Sequence, residues 1–395
     1  MLKSADALAD AGYNVRVVAT SNEPWAIDAD RDVRSRRHWP ATIINYRKGD
    51  SGLTYWWSGV RARASRAAVS LLGADRAPLR LVAHAVGRTH AELVRAAAAE
   101  PADLIYGGTT GALAAVAEAA KRSGIPYALD LEDFHSAESD APDASLRFEL
   151  VSRIEKAVLR NAVFLTTSSE HIAEAYREQY GVEAGIVHNT FPLPAEPPDF
   201  VRVDPEKLRV YWFSQTIGPG RGLDDAVVAL GRAGVAAELA LRGRPHLDYV
   251  EQLKQLAGAK APLLEVTHQL PAAPDAMVDL SRGYDAGLAL ERMVPRNRAM
   301  SISNKAFTYL LAGVAVVMTD TPGQHELGED VGCAAALVPP GDIDALASAF
   351  RQWADDPSML ARAKRAAWDA AVRRWRWDHP KERGLLLDLV SAALS

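Results

Sequence analysis

Two doubly wound α/β domains, each a parallel sheet covered by helices on both faces, are what the sequence predicts. Three observations lead there. The chain has 395 residues, more than the roughly 250–300 over which one hydrophobic core grows, so two domains are expected. Short apolar runs alternate with segments of helical periodicity along nearly its whole length, the pattern of parallel strands joined by crossover helices. A proline-rich stretch, FPLPAEPPDFVRVDPEK at 191–207, interrupts the alternation midway and reads as a linker.

Taken in order, MLKSADALADAGYNV reads as a helix leading into the strand YNVRVVAT. A doubly wound domain opens with a strand, so the first domain is expected to lack its first strand unless that strand lies upstream. ADLIYGG, IPYALDLED, AVFLTTSS and AGIVHNT read as further strands, separated by the helices TGALAAVAEAAKRSG, LRFELVSRIEKAVLR and SEHIAEAYREQYG. After the linker, LRVYWFSQ, AELALRG, LLEVTH, YDAGLAL, AVVMTD and AAALVPP repeat the alternation. The expected boundaries are a first domain at 1–192, a linker at 193–206, a second domain at 207–372, and a C-terminal helix at 373–395 that crosses back to the first.

Composition excludes several classes. A charge of −5 gives no global attraction to nucleic acid. The lone Cys333 rules out an internal disulfide framework, fits a reducing compartment and reads as a small buried apolar residue. No apolar run reaches the length of a membrane span and the start has no signal-peptide layout, so a cytoplasmic protein is expected. Charge is nonetheless uneven. Residues 31–95 hold thirteen Arg or Lys against Asp32, Asp50, Asp75 and Glu92, with Trp56 and Trp57 inside the span. Either this region rests on an anionic membrane surface, or it is a solvated basic face with its tryptophans in the core.

The chemistry gathers around YWFSQTIGPGRGLDDAVVAL at 211–230: strand, glycine-rich turn, helix. Backbone N–H groups at such a helix start favour a phosphate, and Arg221 would add charge; a plain tight turn is the alternative. In the first domain LDLEDFHSAE places Asp130, Glu132, Asp133, His135 and Glu138 at a strand's carboxyl end, where ligands bind in such sheets. Those groups suit a ligand site or a metal site, or simply a capped loop. Gly243 and Arg244 end another strand at the same edge by topology. Arg292, Arg296 and Arg298 lie in a loop-like insertion and read as solvated positions rather than phosphate contacts.

FSQTIGPGRGLDDAV, SNKAFTYLLAGVAVVMTDTPGQHEL and ALVPPGDIDALASAF resemble the donor half of GT-B glycosyltransferases, above all the retaining family 4 (group 1 type). The likeness spans nearly all of the second domain; in the first it rests on IPYALDLEDFHS and VFLTTSSEHIAEAYREQYG. It implies a GT-B fold, with two Rossmann-like domains facing across a cleft and a nucleotide-diphosphate sugar as donor substrate. By the same resemblance Ser214, Gln215, Gly218, Gly220, Arg221 and Gly222 face the donor diphosphate, with Gly243 and Arg244 secondary. Gln215 stands where an arginine is common, so one positive charge is absent. Asn304 and Lys305 open a helix that approaches the phosphates and ribose. Glu291 matches a glutamate near the sugar hydroxyls, whereas the ribose-gripping glutamate falls on Thr308. His135 matches a histidine near the transferred sugar, with Asp130, Glu132 and Asp133 on the acceptor side.

The implied activity is transfer of a sugar to a hydroxyl acceptor, a glycan or lipid-linked molecule, with retention, no metal and no further cofactor. A place in cell-surface glycan or polysaccharide synthesis follows by analogy, with peripheral association through 31–95 and no nucleic-acid partner. A sugar-nucleotide epimerase of the same fold and a non-catalytic nucleotide-sugar binding or scaffold protein remain the alternatives.

Overall fold

The structure, a computed structural model, describes residues 1–23, 31, 33–49, 52–139, 141 and 144–395. Asp32 and Asp50 of the basic span lie outside them. The chain divides into two compact units, Met1–His188 with Pro380–Ser395, and Asn189–His379.

In the first unit α1 (Leu2–Asp10) leads to β1 (Val17–Ser21) and β2 (Ala41–Asn45), which pair in parallel. Helices α2 (Gly52–Leu72), α3 (Leu79–Val86) and α4 (His90–Ala97) follow. A parallel sheet of β3 (Ile105–Gly108), β4 (Tyr127–Leu131), β5 (Leu165–Thr167) and β6 (Gly185–Ile186) comes next, in that spatial order. Its crossovers are α5 (Leu113–Ser123), α6 (Ala144–Val158) and α7 (Glu170–Tyr180). Local chemistry sets their ends. The Ser169 hydroxyl accepts the Ile172 N–H at the start of α7, and left-handed Gly181 closes it. Among the described residues no strand links the β1–β2 ladder to the β3–β6 ladder.

The second unit runs β7 (Leu208–Ile217), α8 (Leu223–Ala233), β8 (Ala237–Pro245), α9 (Tyr249–Lys260), β9 (Leu264–Gln269), α10 (Met277–Ser281) and β10 (Ala286–Ala289). It continues through α11 (Arg296–Met300), α12 (Asn304–Ala312), β11 (Ala315–Thr319), α13 (Pro322–Val331), β12 (Ala335–Val338), α14 (Ile343–Asp355) and α15 (Pro357–Arg373). All strands are parallel and lie in the order β12-β11-β10-β7-β8-β9. Numbered within the unit this is 3-2-1-4-5-6, the doubly wound order whose direction reverses between β7 and β10. Every residue of β10 and β11 is buried, because helices cover both faces, and that is why AGLA and AVVMT carry no polar alternation. Packing is close. A Cβ on Gly287 would lie 2.4 Å from the Tyr309 ring, so glycine is what lets α12 settle on β10.

Three expectations are corrected. The stretch at 193–206 belongs to the second unit rather than linking the two. Asp285, wholly buried, accepts the N–H groups of Val203 (2.9 Å) and Arg209 (3.0 Å). The buried Lys364 ammonium donates to the Val201 carbonyl at 2.8 Å and stands 3.7 Å from Asp285. Second, the segment that returns to the first unit is 380–395, ending in α16 (Leu385–Leu394), while α15 stays in the second. Its anchor is Glu382, fully buried, which accepts the His188 N–H at 2.6 Å and faces the His188 ring Nδ1 at 2.9 Å. Third, Cys333 is exposed, not buried.

Candidate functional site

In the second unit the glycine bend sits at the carboxyl end of β7, at the point where the strand order reverses. Gly220 and Gly222 adopt φ of +76° and +72°, which side chains with a Cβ rarely take. A Cβ on Gly222 would come within 2.7 Å of Leu290 Cβ, so the bend packs directly on the residue before Glu291. From α11 the Arg298 guanidinium donates to the Gly220 carbonyl at 2.9 Å. Lys305, in the first turn of α12, holds its ammonium 3.7 Å from the Glu291 carboxylate, 3.3 Å from the Ser303 hydroxyl and 5.5 Å from the centre of the Trp212 ring. Glu291 is fixed by its backbone. Its N–H donates to the Thr319 hydroxyl, which donates back to the Glu291 carbonyl, both at 2.8 Å. Gln324 in turn donates to the carbonyls of Ala289 and Thr319.

The electrostatics of this cluster are lopsided. Burial lowers the proton affinity of Lys305; Glu291 opposes that shift, while Arg221 and Arg298 reinforce it. Burial and then Arg298 work against the Arg221 charge, again opposed by Glu291. Three cations therefore share one carboxylate. Of the acids that open α8, Asp224 accepts the Tyr249 hydroxyl at 2.8 Å and Asp225 pairs with the Arg292 guanidinium at 3.3 Å. A site with this charge and with donors at a bend and a helix start is suited to an oxyanion, above all a multiply charged one.

The other expected donor-side residues divide. Ser214 and Gln215 lie where the β7–β8 register shifts between Phe213 and Thr216, and Gln215 is exposed. Gly243 is required there, because a Cβ on it would sit 2.3 Å from the Ser214 carbonyl oxygen. Arg244 pairs with Thr216 in the ladder, and Asn304 is exposed at the start of α12. Thr308 is fully buried and its hydroxyl donates to the Asn304 carbonyl at 3.1 Å, so it faces its own helix. Of the three arginines read as loop positions, Arg298 belongs to the cluster. The signal that could have found it was its place before a helix-opening Asn-Lys pair, although nothing local announces a bond 78 residues back.

The first unit carries a separate cavity of about 160 Å³, lined by Asp130, Glu132, Asp133, His135 and Glu138 with Gly108, Thr109 and Thr110. The residues expected on the acceptor side thus come together at the carboxyl ends of β3 and β4. His135 is buried, and its ring Nδ1 bonds the Glu138 carboxylate, which also accepts the Thr110 hydroxyl at 3.0 Å. Among the described residues the His135 Nε2 has no hydrogen-bond partner. Burial disfavours charge on this ring, but the bond to Glu138 and the charges of Glu138, Asp133 and Glu155 outweigh it and raise its pKa. The imidazolium is then a donor at both nitrogens. Burial pushes Asp130 up, with Glu132 adding to the shift. Thr109 holds φ at +75°, a strained setting for a residue with a Cβ. Among the described residues no three His, Cys, Asp or Glu side chains are grouped to hold a metal ion.

A doubly wound sheet with a cationic cluster at its switch point is the architecture of the GT-B fold, and solved glycosyltransferase structures share that fold with this chain. Residues 1–190 match the model of the glycosyl transferase 4-like domain. Sucrose-phosphate synthase from Thermosynechococcus elongatus superposes with a TM-score of 0.68 at 14% identity, over 99% of this chain and 92% of that one. HepE from Anabaena, solved with UDP and glucose, gives 0.64 at 17% identity over 96% and 98%. An E. coli trehalose-6-phosphate protein bound to UDP-2-fluoro glucose gives 0.58 at 12% over 96% and 99%. No curated protein matches the chain in sequence.

Proposed function

We propose that the protein moves a glycosyl group from a nucleotide-diphosphate sugar to a hydroxyl acceptor, the donor on the second unit and the acceptor at the cavity of the first. The observation that carries this reading is the cluster of Arg221, Arg298 and Lys305 around the single carboxylate of Glu291, at the switch point beside the glycine bend. Cations placed where a diphosphate leaves stabilise the developing charge, and here they are side chains, so transfer is expected to proceed without a divalent ion. Glu291, held by its backbone to Thr319, would contact the sugar hydroxyls. His135, its Nε2 unpartnered among the described residues, would donate to an oxygen of the transferred sugar or of the acceptor. We read the transfer as retaining, in a cytoplasmic setting and in cell-surface glycan or polysaccharide synthesis with a glycan or lipid-linked acceptor, on the resemblance to the retaining family 4.

Neighbours solved with UDP or a UDP-sugar make uridine donors the first to try. The test is a thermal-shift screen of nucleotide sugars, followed by NMR of the product's anomeric centre with and without EDTA. A donor-dependent transfer that survives EDTA and keeps the donor's anomeric configuration supports the reading; inversion, or abolition by EDTA, removes those parts of it. One observation favours a non-catalytic nucleotide-sugar binder: the Thr308 hydroxyl is turned into its helix instead of toward a ribose. Tight donor binding with neither hydrolysis nor transfer would establish that alternative.

A further inference from the structure

Helix α2 does not bury its most apolar face. Leu53, Trp56, Trp57 and Val60 recur at helical spacing and are 75%, 61%, 64% and 52% exposed, and Leu71 continues the line at 88%. The tryptophans expected in the core on the bland reading of this span are therefore at the surface. The helix contains no acid and three arginines. Arg61 is neutralised by Glu92 at 2.6 Å. Arg63 and Arg66 are exposed, and each uses one N–H on a backbone carbonyl, those of Gly59 (3.2 Å) and Ala85 (3.1 Å). Among the described residues neither forms an ion pair, nor do the exposed Arg76 and Arg80 that follow. An apolar strip headed by tryptophans and bordered by unpaired arginines has the chemistry of the boundary between lipid headgroups and acyl chains.

The same end of α2 is tied to the acceptor cavity. Arg88 donates to the Ser58 hydroxyl at 3.0 Å and lies 4.4 Å over the Tyr55 ring, next to Trp56. The preceding residue, Gly87, meets the cavity loop so closely that a Cβ on it would come within 2.7 Å of the Gly111 carbonyl oxygen. Gly111 is the next residue after Thr109 and Thr110, which line the cavity with His135. Contacts therefore run from the packed side of α2 through Arg88, Gly87 and Gly111 to the loop that lines the cavity.

We propose that this face of α2 docks on an anionic lipid bilayer and presents the rim of the cavity to an acceptor carried in that bilayer. The acceptor part rests on the transferase reading; the docking part does not. The test is flotation of the full chain with vesicles of phosphatidylcholine, alone or mixed with phosphatidylglycerol. Wild type should float with the mixed vesicles only, and less so as salt is raised. Arg63→Glu/Arg66→Glu should lower partitioning by roughly 30-fold or more, at about fivefold per arginine lost. Trp56→Ser/Trp57→Ser should lose both flotation and tryptophan quenching by brominated lipid. Both variants should keep the wild-type melting temperature and nucleotide-diphosphate binding, which reports on the second unit and separates the two readings. Equal flotation of variants and wild type, binding to neutral vesicles alone, or a dimer that Trp56→Ser/Trp57→Ser dissolves would each overturn the proposal. Loss of donor turnover with vesicle binding intact would instead count against the transferase reading alone.

Discussion

Removing Arg298 should weaken diphosphate binding while leaving the free protein about as stable as before, and that combination separates a ligand-binding role from a structural one. In the free protein Arg298 does two opposing things. It donates to the Gly220 carbonyl, a bond worth about 0.5–1.5 kcal/mol, and it repels Arg221 and Lys305. Arg298→Ala loses the first and relieves the second, so the net change in melting temperature should be small. Toward a diphosphate both roles act together. A charge-assisted hydrogen bond is lost, about 1.5–3 kcal/mol, which at 1.4 kcal/mol per decade is roughly a 10- to 150-fold rise in Kd. Arg298→Gln, which removes the charge but keeps a donor, should fall between. The assay is calorimetric titration with UDP, ADP and GDP at low and moderate salt, the wild-type affinity showing the steeper salt dependence. Wild-type affinity in Arg298→Ala for every nucleotide that binds would refute the reasoning, as would a large drop in melting temperature without nucleotide.

Further outcomes follow from the same geometry. Gly222→Ala forces a left-handed conformation on alanine and sets its Cβ against Leu290, so it should lose about 1–3 kcal/mol. Gly218→Ala, whose Cβ would meet only His246 at 3.4 Å, should be close to neutral; equal melting shifts would contradict this assignment. Lys364→Met leaves Asp285 and the Val201 carbonyl short of a buried partner and should cost about 3–5 kcal/mol in a denaturant titration. For the cavity of the first unit the sign runs through His135, whose pKa is raised on folding. Its contribution is full below the ordinary histidine value of about 6.5 and is lost as pH rises through the raised one. Glu138, depressed despite its burial because His135 and Thr110 bond it, contributes above its ordinary 4.5 and loses that as pH falls through the lowered value. A melting-temperature profile of His135→Gln should therefore lose the alkaline decline seen in wild type; a parallel profile would show that His135 does not titrate as described.

Much of the second unit could be read from sequence because strands buried on both faces must be apolar throughout. AVVMT and AGLA cannot satisfy a half-exposed sheet, and they sit where the periodicity places them. What escaped was long-range. The strand β2, ATIIN, is short and only partly buried, and has no apolar run long enough to stand out. The prolines at 191–207 look like a tether, yet Asp285 and Lys364, far along the chain, hold that stretch against the second unit. Arg298 reads as a solvated loop residue until the fold brings it to Gly220. Thr308 was the one more open to local reasoning, since a threonine inside a helix commonly bonds the carbonyl four residues back.

These misses differ in kind from the site itself. A long-range ion pair such as Lys364–Asp285 joins opposite charges and holds a segment in place. The cluster at the glycine bend does the reverse: Arg298 disfavours the charge of Arg221, both disfavour that of Lys305, and the Glu291 carboxylate does not offset them. Such an arrangement works against the fold that contains it, since burial and two neighbouring cations disfavour the Lys305 charge. On the transferase reading that cost has a use, because a binding site for a multiply charged diphosphate must carry excess positive charge before its ligand arrives. Lys305→Met should then raise the melting temperature of the free protein and abolish its stabilisation by nucleotide diphosphate, measured side by side in one thermal-shift series. If Lys305→Met instead lowers the melting temperature and leaves that ligand-induced shift untouched, the cluster is structural and the assignment of the donor site falls with it.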